Sequence, residues 1–141
     1  MMARLKKATA NLLNNGWHCI VGLSLIFNGI VLAISTHYFF WPPHPKFITD
    51  FLNDDVVGYT GILLGIGMIY WAYQENGSYK MNRFLLASSS AFYTMLGLTE
   101  MMHTLFAHPF TPRMEWGAIS DLIMVLVTLY MAKESPTRKD E

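Results

Sequence analysis

Glu100 and His103 stand three residues apart near the end of a long apolar stretch, Phe84 to Ala107, and Asp121 lies inside the next one. Residues three apart are neighbours on a helix, so the carboxylate and the imidazole share a face. An ionisable side chain at bilayer depth costs at least about 2.5–3.5 kcal/mol if it meets lipid. These groups must therefore face protein, and other helices must supply it. Three chemistries fit the set. Glu-x-x-His is half of a carboxylate-bridged metal site in a four-helix bundle, whose full pattern has two such pairs and two further Glu. A divalent metal here would draw on Glu100, His103, His108, His37 and Asp121. Two acids beside a histidine can instead share a proton, because like charges disfavour ionising both, and so serve a proton-coupled transporter. In the third case Glu100, His103, Asp121 and Asn28 hydrogen-bond one another to fix helix register, at about 0.6–2 kcal/mol per contact.

The elements that would hold these groups are membrane helices. Of 141 residues, 52% are hydrophobic and only 14% charged, against about 25% charged in a soluble domain. Ten basic and ten acidic residues balance to a formal charge of zero, which argues against nucleic acid as a partner. The single cysteine, Cys19, excludes an internal disulfide and any thiol-pair metal or redox motif. The chain has no Gly-x-Ser-x-Gly elbow, no His-Glu-x-x-His and no phosphate loop, so nothing supports a hydrolase. Beyond a divalent metal, no cofactor is expected.

Hydropathy divides the chain into an amphipathic lead over 1–15, a transmembrane domain over 16–133, and a polar, disordered tail over 134–141. Four spans are expected, over about 17–38, 56–73, 84–107 and 116–132. The fold class is thus all-α: a polytopic, up-down bundle with a short N-terminal interfacial helix. Asn28 falls near mid-membrane in the first span, where its amide needs a partner from another helix. Gly58, Gly61 and Gly65 recur at spacings of three and four in the second, a stripe where another backbone can approach closely. Asn53-Asp54-Asp55 offers that span an N-cap. Ser88-Ser89-Ser90 reads as small residues for packing.

Eight Lys and Arg lie on the side of the termini and the middle turn, against two on the other side, Lys46 and Arg113. The positive-inside rule then puts both termini in the cytoplasm of a cell-membrane protein. Glu100 falls ~10 Å and Asp121 ~7–8 Å below the outer surface by helical rise. Tyr93, Gly97, Glu100 and Thr104 share one stripe; Gly117, Asp121, Met124 and Thr128 share another. An outward-facing cluster of acids and imidazoles follows, with His37, His44 and His108 ending on the same side.

Small multidrug transporters have a similar span count but carry their acid in the first helix, where this chain has Asn28. Thiol-oxidising four-helix membrane proteins need cysteine pairs, which are absent. Short length, a basic start, several crossings and a charged tail resemble phage holins and other small phage-encoded membrane proteins, in format and through no motif. The function expected is helix–helix assembly as a self-associating or accessory subunit. Its partners would be the lipid bilayer and either further copies of the chain or another membrane protein. The alternative is a proton-coupled or metal-binding protein using the outer cluster.

Overall fold

The structure, a computed structural model, describes residues 11–35, 38–39, 50–51, 53–74, 77–106 and 112–135. The lead up to residue 10, the tail from residue 136, and His37, His44 and His108 lie outside the described residues. Within them the chain is all-helical, with four long helices: α1 (Gly16–Ile34), α2 (Asp55–Tyr73), α3 (Tyr79–Phe106) and α4 (Pro112–Glu134). The first helix stops at Ile34, four residues short of the expected span end.

Three of these helices are long and apolar enough to cross a membrane: Gly16–Ile34, Asp55–Tyr73 and Glu115–Glu134. α3 is not among them, although its 28 residues reach ~42 Å at helical rise. Its composition is diluted by Asn82, Ser89, Tyr93, Glu100, His103 and Thr104, all of which it buries. The face it exposes is apolar, with Phe84, Leu98, Met101, Met102, Leu105 and Phe106. Its polar residues thus lie on one face and its apolar ones on the other.

α2 starts where Asp54 accepts a hydrogen bond from Val56 N at 2.9 Å, satisfying one donor of the first turn. α1 and α2 pack backbone to backbone. A Cβ on Gly29 would lie 2.5 Å from Gly58 O, and one on Gly22 would lie 2.9 Å from Gly65 O. Gly61 is seated between Gly29 and the ring of Phe92 on α3. On a membrane helix such close approach supplies dispersion that lipid-facing side chains cannot. Contacts run in opposite sequence order along this pair. They do so along α3 and α4 as well, where Gly97 meets Asp121, Glu100 meets Gly117 and Asn82 meets Ser135. The core where the pairs meet holds Val21, Leu25, Met68, Leu86, Phe92 and Leu96. Outside it, Phe27, Leu63 and Leu126 are each about two-thirds exposed, far more apolar surface than water tolerates.

Candidate functional site

The stripe that α3 turns inward carries Gly97 and Glu100; the facing stripe of α4 carries Gly117 and Asp121. Each acid sits on the other helix's glycine. Glu100 lies over Gly117, where any Cβ would collide with its Oε2, and Asp121 packs its Cβ against Gly97. Two glycines thus open the space two carboxylates fill, and both acids are only 4% exposed.

Each acid then takes a donor from the first part of the chain. Asn28 Nδ2 on α1 donates to Asp121 Oδ1 at 3.2 Å, the cross-helix partner that a mid-membrane amide requires. Tyr38 OH donates to Glu100 Oε1 at 2.7 Å. Glu100 Oε2 has no hydrogen-bond partner among the described residues.

Tyr38 lies beyond the end of α1, and its position is set by the next residue. Phe39 N donates to Asn53 Oδ1 at 2.8 Å, and Asn53 Nδ2 donates back to Phe39 O at 2.6 Å. This amide clamp fixes residues 38 and 39 to the start of α2. Phe39 in turn packs edge-on against His103, with ring centroids 6.3 Å apart, and His103 is fully buried. Removing the clamp with Asn53→Ala should cost about 1–3 kcal/mol, two hydrogen bonds at about 0.5–1.5 each. Thermal unfolding in detergent would show it as a lowered Tm, and tyrosine absorbance should report a more polar setting for Tyr38.

Glu100, Asp121 and Asn28 therefore gather in one place, and His103 lies one turn beyond against Phe39. Among the described residues no group of three or more His, Cys, Asp or Glu is placed to hold a metal ion; His37 and His108 lie outside them. The sequence placed Tyr38 at the end of the first span and Asn53 in a helix cap. Nothing in local sequence marks either as belonging to Glu100, since the clamp joins residues fourteen apart.

A second polar cluster occupies the other end of the bundle. His18 Nε2 meets Asn82 Oδ1 at 2.9 Å, and Asn82 Nδ2 donates to Ser135 Oγ at 2.8 Å. Asn82 is 3% exposed. The His18 ring stacks on Trp71, centroids 4.3 Å apart, and Trp71 Nε1 donates to Ser78 O at 3.1 Å. A cleft of about 400 Å³ opens onto this cluster. Asp121 and Thr128 stand seven apart on α4, with Ser135 seven further on, just past its end, and Asn82, Ser89 and His103 stand at multiples of seven on α3.

Set against protein-family models, curated proteins and solved structures, the chain matches none of them.

Proposed function

We propose that the chain crosses the bilayer four times, up and down, with both termini in the cytoplasm. In this reading Glu100 and Asp121 bind and release a proton on the outer side, as the working site of a small proton-coupled transporter. Support for the fourth crossing comes from the apolar face of α3 and from the opposed contact order along α1–α2 and α3–α4. Support for the orientation comes from the eight-to-two distribution of Lys and Arg.

The proton reading is carried by one observation: two carboxylates, each 4% exposed, whose identified donors Tyr38 and Asn28 are both neutral. Charging either costs at least about 2.5–3.5 kcal/mol in hydrocarbon, and charging both adds their repulsion. A pure register device has no use for that cost, since Gln and Asn offer the same acceptors without it. One proton held between the two acids removes the repulsion and one of the two charges, and the pair then titrates as a unit. An indicator-dye titration of the purified protein in micelles checks this. Wild type should release one more proton than either Glu100→Gln or Asp121→Asn as the solution is made alkaline. Equal release by all three proteins would remove the proposal.

A self-assembling or accessory role is the second reading, favoured by an apolar groove of about 440 Å³ between α2 and α3, lined by Leu64, Phe84, Ser88, Ala91 and Met95. A helix of another copy fits such a groove. In that case Glu100→Gln and Asp121→Asn should leave cross-linked oligomers and activity as they are in wild type. A divalent metal measured at one per chain would instead favour the metal-binding version, with Glu100, His103 and Asp121 completed from His37 or His108.

A further inference from the structure

Between the two polar clusters the inside of the bundle holds further hydroxyls. Asn82 and Glu100 are eighteen residues apart on one helix, ~27 Å at helical rise, close to the ~30 Å hydrocarbon thickness. Between them α3 buries Ser89 and Tyr93, both at 0% exposure, and α4 buries Thr128 at 1%. The register that pairs Asn82 with Ser135 and Gly97 with Asp121 sets Thr128 opposite Ser89. Tyr93 OH donates to Val21 O at 3.3 Å. Ser89 Oγ and Glu100 Oε2 have no hydrogen-bond partner among the described residues. A buried hydroxyl left so is unfavourable, and a polar interior of this kind is where proteins hold water. Elsewhere the same bundle buries Leu, Phe and Val, so hydroxyls in this file are not what packing alone selects.

Resting on the proton-binding reading of Glu100 and Asp121, we infer that His18, at the floor of the cleft beside Asn82, is the second port of that site. Through it, protons exchange with the opposite face of the membrane along the Ser89–Tyr93–Thr128 file. The amide of Asn82 gives its nitrogen to Ser135 and so turns its oxygen to His18, which meets it with Nε2–H. Nδ1 is then the nitrogen that takes a proton from bulk water. Once Nδ1 is protonated, Nε2–H swings off Asn82 Oδ1 and gives its proton to water on the bundle side, and a ring flip restores the starting tautomer and the bond to Asn82; only N–H and O–H bonds change. The ring is faced by Trp71 from α2 and Asn82 from α3, and the cleft it shares is also lined by Tyr79 from α3 and by Tyr130 and Glu134 from α4. Glu134 is the one charged group lining the cleft among the described residues, and its sign draws protons toward the opening.

The test is proton flux into liposomes that hold the full chain and an internal pH dye, with potassium and valinomycin clamping the voltage. Wild type should collapse an imposed pH gradient faster than protein-free vesicles. His18→Gln keeps an N–H donor for Asn82 but cannot pass a proton, and should slow the flux about tenfold, a barrier change of ~1.4 kcal/mol. Tyr93→Phe removes one hydroxyl from the file without changing the fold, and should also slow it. Flux in His18→Gln and Tyr93→Phe equal to wild type, or no wild-type flux above empty vesicles, would overturn the inference. The micelle titration of Glu100→Gln and Asp121→Asn stands apart from this result, because proton binding at the acids does not require a route through the bundle.

Discussion

A Gly117→Val protein is expected to lose the carboxylate pair while keeping its helices. Glu100 Oε2 occupies the space that any Cβ on residue 117 would need. Either α4 moves away from α3 or the Glu100 side chain leaves its seat. Forcing atoms into a filled core costs about 1–3 kcal/mol. Displacing the carboxylate also breaks its bond from Tyr38 and turns a charge toward the acyl chains, at least about 2.5–3.5 kcal/mol more if it stays ionised. Circular dichroism should stay helical, the Tm should fall steeply, and the extra proton released by wild type should disappear. Gly97→Val tests the mirror contact under Asp121 and should act in the same direction.

The second large effect is expected on the other pair of helices. Gly29→Leu places a side chain where its first carbon alone would lie 2.5 Å from Gly58 O and 2.7 Å from Ile62 N. Both are backbone atoms and cannot swing aside, so α1 and α2 must part. The loss should reach or exceed about 3 kcal/mol, the upper end of overpacking costs, and a van't Hoff analysis of unfolding would measure it. Asn28 precedes Gly29 in the chain, and α1 carries it to Asp121. Moving α1 outward therefore withdraws the Asp121 donor as well, so proton release should change although the substitution lies outside the acid pair.

The acids, Asn28 and the glycine stripe were open to reading from sequence because their spacing is helical. A period of three and four says which residues share a face, and the energetic cost of burying charge says that the face turns inward. Tyr38 and Asn53 were not legible, because what ties them to Glu100 is a contact between residues 39 and 53, fourteen apart in the chain. His18 and Asn82 were hidden for a different reason. Each sits alone in its own local stretch, and only the packing of α1 against α3 makes a pair of them. α3 shows the converse case: its apolar stretch was legible, but the division into a polar buried face and an apolar exposed one came only with the structure.

Isotope-edited infrared spectroscopy of the purified protein addresses the shared proton most directly, since a protonated carboxylic acid has a carbonyl stretch that a carboxylate lacks. Wild type at neutral pH should show one such band, shifted in heavy water, and it should be lost when Glu100→Gln and Asp121→Asn are combined. A spectrum with both acids fully ionised at neutral pH, or a band unchanged in the double variant, would contradict the account.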